Sequence, residues 1–309
     1  MLITLSSGIA FSTEAAVSIL DAASTKSISL PYSCKTGRCS TCKCKVIAGR
    51  TSALKEEIGL SAAEKADGWI LSCVRTALTD LNLDMEHLAG VVLPEAKTLP
   101  CRIKSIDKLA HDVMRVVLRL PPATDFSFIP GQYIDIIGLG GVRRSYSLAN
   151  ASFADKQLEL HIRAVDCGAM SQYWFGQAKT NDLLRLSGPL GTFFLREVTG
   201  LDLVFLATGT GFAPVKAMLE SMGDLAAEKQ PRSVTVLWGG RTIQDLYFDA
   251  ALIPGRFNFV PVLSRAEAGW MGARGHVQHI LLSKLPDVTQ AAVYAVSYTH
   301  LTLPTKRIV

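Results

Sequence analysis

The chain has 309 residues, 49% apolar and 19% charged, with a net charge of +5. That length suits two or three domains with sizeable cores, and the composition excludes a disordered chain. The mild, dispersed charge speaks against a nucleic-acid binder, and no apolar run reaches the roughly 18 residues that cross a bilayer. Residues 1–5 lack the basic region and cleavage site of a secretory signal, and seven cysteines without a disulfide framework point to a reducing, cytoplasmic setting with no membrane partner.

In chain order, residues 3–11 alternate apolar and polar around Ser6-Ser7-Gly8, which predicts a hairpin. Helical spacing follows over 15–23, and Ile28-Ser29-Leu30 leads into a cysteine-rich loop. Residues 44–47 read as a strand ended by Ala48-Gly49. Ser61-Ala62-Ala63-Glu64 resembles a capping box before a short helix, and Ile70-Leu71-Ser72 leads to Cys73. We place the first domain at 1–92 and a linker at 93–100. From 101 to 198 short strands broken by Pro and Gly, among them 113–120, 133–137 and 158–165, predict an antiparallel barrel. From 199 to 309 strand, loop and helix alternate. Residues 203–206, 234–237 and 259–262 read as buried parallel strands, and 214–221 as a helix after a glycine turn. That is an α/β nucleotide-binding layout.

Cys34, Cys39 and Cys42 have the spacing C-x4-C-x2-C, and Cys73 follows alone. Four thiolates in that spacing are the ligand set of a plant-type [2Fe–2S] ferredoxin, with three ligands on one loop and the fourth from a distant segment. Gly37 lets the loop turn, and small Ser40 and Thr41 leave room for amides to face sulfur. Cys39-x2-Cys42 alone would also fit zinc, but Cys73 lacks the close second cysteine of a zinc ribbon. Cys44 alternates with Cys42 on the outgoing strand and is a weaker competitor. Lys35, Arg38, Lys43 and Lys45 surround the loop, either as a solvated face or as a docking face for an acidic partner protein.

Arg144-Ser145-Tyr146-Ser147 resembles the R-x-Y-S flavin motif of the ferredoxin–NADP reductase superfamily. Pro130-Gly131-Gln132-Tyr133 before it and Gly188-Pro189-Leu190-Gly191-Thr192-Phe193 after it stand at the family's positions. The resemblance implies FAD, with Arg144 on the pyrophosphate and Tyr146 and Ser147 as the catalytic pair beside the flavin ring. His161, Ile162 and Arg163, followed by Gly168, Met170 and Ser171, resemble the flavin-phosphate segment, although Cys167-Gly168 stands where a G-G pair is usual. His161 also reads as an ordinary strand residue. Gly209, Thr210, Gly211, Ala213 and Pro214 match the family's G-T-G-x-A-P pyridine-nucleotide turn, and Gly239 and Arg241 its second contact loop. The absence of a basic pair for a 2′-phosphate favours NADH, while Arg241 and Arg265 keep NADPH open.

The resemblance spans about residues 1–295. Tyr32-Ser33-Cys34-Lys35, Gly131-Gln132-Tyr133-Ile134-Asp135, Arg143-Arg144-Ser145-Tyr146-Ser147 and Gly191-Thr192-Phe193-Phe194 are closest to the CDP-6-deoxy-3,4-glucoseen reductases of dideoxysugar synthesis. It implies a β-grasp ferredoxin domain, an antiparallel β-barrel flavin domain and a Rossmann-like nucleotide domain, a multidomain α+β and α/β enzyme. NADH electrons would pass through FAD and the [2Fe–2S] cluster to a separate acceptor protein, a cluster- and pyridoxamine-dependent CDP-sugar dehydrase. The alternatives are the reductase component of an aromatic or alkane oxygenase, or a non-catalytic redox carrier or sensor. After Val293-Tyr294-Ala295 the family continues with C-G-x-P and final elements. Residues 296–309 instead read as adaptor-derived sequence or a divergent natural tail, so the nucleotide domain reads as C-terminally truncated, with FAD and NADH bound but hydride transfer slowed.

Overall fold

The structure is a computed structural model that describes residues 1–151, 153–284 and 289–296. The predicted tail 296–309 lies outside them except for its first residue, Val296. The chain divides into two compact units, one of residues 1–94 with 191–193 and a second of residues 95–190 with the described residues from 194 on.

In the first unit β1 (Leu2–Leu5) and β2 (Ala10–Ser12) form the predicted hairpin. Helix α1 (Ile19–Thr25) starts four residues later than its apolar period suggests. Ala16 adopts φ +62°, which stops a helix there, and Ser18 caps the new start by accepting from the Asp21 amide. Then come β3 (Lys43–Ala48), β4 (Thr51–Ala53), α2 (Ala62–Ala66), β5 (Trp69–Leu71), β6 (Arg75–Ala77) and β7 (Leu81–Asp84). Ser61 and Glu64 make the predicted capping box of α2. The main sheet runs β2-β1-β7-β3-β5 with β1 and β7 parallel, a β-grasp sheet on which Ile19, Leu20 and Ala23 of α1 are buried.

The second unit opens with β8 (Lys97–Ala110), whose first four residues fall in the predicted linker. Pairing with β13 (Leu183–Leu190) recruits them, since Cys101 and Ile103 bury on one face and carry the strand backwards. With β9 (Val113–Arg119), β10 (Tyr133–Ile137), β11 (Arg143–Ser147) and β12 (Gln157–Arg163) the sheet runs β11-β10-β13-β8-β9-β12. An antiparallel bridge between Leu148 and Leu160 joins its two edges and closes the barrel. Helix α3 (Ala169–Gln172) makes only one turn before a π-turn over Tyr173–Gln177.

The rest of the unit is a parallel sheet in the order β17-β16-β15-β14-β18, built from β14 (Asp202–Thr208), β15 (Ser233–Gly240), β16 (Asn258–Leu263), β17 (Ala273–Arg274) and β18 (Ala291–Val296). Helix α4 (Phe212–Ser221) follows β14, and α5 (Val277–Lys284) precedes β18. Strands β15 to β17 build outward on one side of β14, and β18 returns to the other. The carboxyl end of β14 is therefore the topological switch point, the usual crevice for a ligand in such sheets.

Candidate cofactor sites

The cysteine loop takes its shape from residues in the left-handed region. Lys35, Gly37 and Ser40 have φ of +54°, +76° and +60°. A Cβ on Gly37 would lie 2.5 Å from the Glu56 carbonyl oxygen, so only glycine fits. This winding turns amides inward. Cys34 N–H donates to Cys39 Sγ at 3.4 Å, and Thr36 N–H to Cys34 Sγ at 3.4 Å. The sulfurs form two pairs, Cys34 with Cys39 and Cys42 with Cys73, the latter 3.2 Å apart. Among the described residues no three His, Cys, Asp or Glu converge on one ion position. Two thiolate pairs with amides aimed at sulfur are a fitting donor set for a binuclear cluster. In each pair one sulfur is held low by its partner's hydrogen bond, Cys34 to about 4, while Cys39 and Cys42 are pushed up.

Cys44 is fully buried on β3, where burial raises its thiol to about 12, the state of a packing residue. A clasp holds the fourth ligand's segment. The buried Glu57 carboxylate accepts from the Leu71 amide at 2.8 Å and from the Arg75 guanidinium at 2.7 Å. The basic set is largely neutralised, with Lys35 on Asp21, Lys43 on Glu64 and Lys45 on Asp67. An acidic docking partner thus gains little from these three lysines.

In the second unit a cleft of about 330 Å³ lies where the barrel meets the end of β14. From the barrel, Arg144, Tyr146 and Ser147 of β11 line it, with His161 and Arg163 of β12 and the Gly168, Met170 and Ser171 turn. From the other side come Thr210, Gly211 and Ala213. Ile162 is 1% exposed in the barrel core, because alternation along β12 points it away from His161 and Arg163. Gly209, Pro214, Gly239 and Arg241 do not line the cleft. Gly209 (φ +50°) leaves room for Arg163, whose Nη1 would sit 2.8 Å from a Cβ there. Pro214 sits in the buried first turn of α4, and Gly239 packs against Val277 and Thr208.

The Trp174 indole N–H donates to the Tyr146 hydroxyl at 3.0 Å, with the rings edge to face, so the Tyr146 ring has a fixed plane for stacking. Arg144 donates to the Arg143 carbonyl and makes no ion pair among the described residues, whereas Arg143 is paired with Asp135. An uncommitted guanidinium in a cleft fits a pyrophosphate. The Ser171 hydroxyl accepts from the Val165 amide, no side chain caps the start of α3, and its helical backbone runs on through the π-turn to Gln177. No side chain caps α4, which continues from a 3-10 turn over Gly209–Gly211 with the Phe212 amide already donating to the Gly209 carbonyl.

Three domain models match the chain: a 2Fe-2S iron-sulfur cluster binding domain at residues 3–78, an oxidoreductase FAD-binding domain at 100–195 and an oxidoreductase NAD-binding domain at 205–296. It is 40% identical to the CDP-6-deoxy-L-threo-D-glycero-4-hexulose-3-dehydrase reductase of Yersinia pestis over 293 residues, covering 94% of this chain and 87% of that protein. This chain belongs to the ferredoxin–NADP reductase superfamily, among members with an N-terminal [2Fe–2S] domain. The reductase is also 34% identical to the xylene/toluene monooxygenase electron transfer component XylA of Pseudomonas putida, covering 87% of this chain and 78% of that one. Among solved structures it is similar to the Amycolatopsis cytochrome P450 reductase GcoB, with a TM-score of 0.71, 30% identity, and 95% and 90% of the two chains covered. It is an NAD(P)H-dependent oxidoreductase with [2Fe–2S] and FAD cofactors, serving an electron-acceptor partner. Among the described residues no helix is long and apolar enough to cross a membrane.

The sequence motifs omit Glu159, Lys216, Tyr247 and Asp245, which lie around the same cleft. Burial raises the Glu159 carboxyl, but hydrogen bonds from His161 and Arg115 and the charge of Lys216 outweigh it and hold the group at about 2. Burial likewise holds His161 below its ordinary value, hence neutral. Both shifts have the same sign, so their stabilisation is present above the unfolded values near ~4.3 and ~6.5 and is lost as pH falls. Thermal unfolding between pH 7 and 3 is expected to show a midpoint that drops on acidification, and less steeply in Glu159→Gln. Equal slopes would contradict this.

Proposed function

We propose that the reductase draws electrons from NADH and delivers them to a dehydrase acting on a CDP-6-deoxyhexulose, in the cytoplasm. The carrying observation is the meeting of the R-x-Y-S strand and the G-T-G turn at one cleft, in a chain that also presents two thiolate pairs. Bound FAD would supply hydride acceptance and single-electron release, the chemistry that links a two-electron donor to a one-electron carrier. The protein's residues do the holding. Arg144 would hold the pyrophosphate, Tyr146 would stack on the flat ring and Ser147 would hydrogen-bond at its edge, all three lining the cleft. Thr210, Gly211 and the start of α4 receive the dinucleotide. The dehydrase acceptor is supported by the name of the Yersinia relative. The electron-transfer component from Pseudomonas supports an oxygenase as the second reading. NADH-dependent turnover with each purified acceptor separates them. Activity with an oxygenase and none with the dehydrase would overturn our choice.

Preference for NADH is supported by the commitment of Arg241. Its guanidinium and amide all donate to Asp245, which is 3% exposed and also accepts from the Thr242 amide and pairs with Arg163. A guanidinium so held has little left for a 2′-phosphate. In Asp245→Asn the kcat/KM ratio of NADPH to NADH is expected to rise roughly 10-fold, the scale of one charged contact. An unchanged ratio would rule Asp245 out as the restraint.

A further inference from the structure

Behind the cleft lies a buried ion pair, Glu159 with Lys216, that no cofactor motif includes. Glu159 on β12 receives Arg115 Nη2 at 2.8 Å, His161 Nε2 at 2.9 Å and Lys216 Nζ at 3.3 Å. Lys216 lies on α4, just past the nucleotide turn, with its side chain 8% exposed. Its ammonium also donates to the Ala149 carbonyl at 2.8 Å and the Glu220 carboxylate at 2.6 Å. Glu220 in turn accepts from the Ala151 amide at 3.1 Å. His161, with no exposed side-chain surface, lines the cleft and meets the Tyr247 hydroxyl at 3.0 Å through Nδ1.

Three pieces of backbone thus converge on one carboxylate and one ammonium. They are β12, the segment 148–151 that continues from Ser147, and the first half of α4. On one side of the cleft β12 presents His161 and the segment 148–151 runs on from Tyr146 and Ser147 of β11; on the other, α4 follows Gly211 and carries Ala213. Apolar side chains of similar size would fill this space with less desolvation, so packing alone does not account for the charges. What a hydrogen-bonded ion pair adds is a fixed distance and direction.

We propose that Glu159 and Lys216 are positioning residues that brace the dinucleotide turn against the flavin strand. The inference rests on the reading of this cleft as the place where NADH meets FAD. Neither residue contacts a cofactor in this account; each acts through the backbone it holds. Transfer between two bound rings is sensitive to displacements on the order of 1 Å, which cost about 100-fold in rate. The brace should therefore affect the transfer step more than dinucleotide binding.

The test is anaerobic, single-turnover bleaching of the flavin by NADH in FAD-loaded wild type, Glu159→Gln, Lys216→Met and Lys216→Arg. In the first two variants the limiting rate at saturating NADH is expected to fall at least about 10-fold, while half-saturation shifts less than about 3-fold. Flavin and iron content should be unchanged, and Lys216→Arg should recover most of the rate. Hydrogen exchange on protein without NADH gives a second readout, with amides of 148–151 and 212–216 exchanging faster in both variants and those of β15 unchanged. Limiting rates within about 2-fold of wild type in both variants would overturn the proposal. So would loss of FAD or protection throughout the unit in both, since the pair would then be merely structural. If wild type itself is not bleached by NADH, the reading of the cleft fails, and the exchange comparison still decides whether the brace exists.

Discussion

Replacing Cys73 by serine is expected to abolish the visible absorbance of the iron–sulfur centre and to lower NADH-driven reduction of a one-electron protein acceptor ~100-fold, because the second sulfur pair loses a ligand. Flavin reduction by NADH should persist near the wild-type rate, since the residues lining the flavin–nucleotide cleft all lie in the second unit. The effect should be specific to the ligands. Cys44→Ser, which alters a fully buried thiol on the neighbouring strand, is expected to lower the unfolding midpoint and leave the iron content intact. The measurement is iron and acid-labile sulfide per flavin in all three proteins, beside cytochrome c and ferricyanide reduction. A Cys73→Ser protein with full iron content and undiminished cytochrome c reduction would remove Cys73 from the ligand set.

Arg144→Ala should weaken FAD binding about 100-fold, the loss of a charge-assisted contact pair worth about 3 kcal/mol. The neighbouring substitution is the control. Arg143 is committed to Asp135, and Arg143→Ala is expected to change FAD affinity less than about 3-fold, as is usual for an exposed ion pair. Fluorescence titration of deflavinated protein with FAD gives both constants. Equal losses in the two variants would mean that general positive charge, not the Arg144 fork, holds the pyrophosphate.

Much of the fold was legible because its signals are local. Four cysteines at fixed spacing specify a loop with few alternatives. The alternation of Tyr133–Ile137 and the capping box at Ser61 each depend on residues a few positions apart. The misplaced boundaries have a common cause. Ala15 and Ala16 continue an apolar period, but Ser18 is the better cap and the chain turns at Ala16. Lys97–Pro100 look like a linker until a partner strand more than eighty residues away pairs with them.

The cleft was legible in the same uneven way. Motif residues that touch it follow from spacing, but Ile162 and Gly239 show that a motif mixes residues that reach the site with residues that only shape it. Glu159 and Lys216 were missed because their pairing joins a strand to a helix far along the chain. A charge inside each of two apolar runs, Leu158–Ile162 and Phe212–Leu219, was the available signal. Read together, two buried charges of opposite sign imply each other.

The central claim is that one chain carries electrons from a dinucleotide through a flavin to a binuclear iron–sulfur centre. Anaerobic titration of the purified reductase with NADH, followed by flavin absorbance and electron paramagnetic resonance, tests it most directly. The account expects flavin bleaching together with a paramagnetic signal integrating to about one spin per flavin, as a singly reduced [2Fe–2S] centre requires. Bleaching of the flavin with no such signal, in protein free of inorganic sulfide, would contradict it.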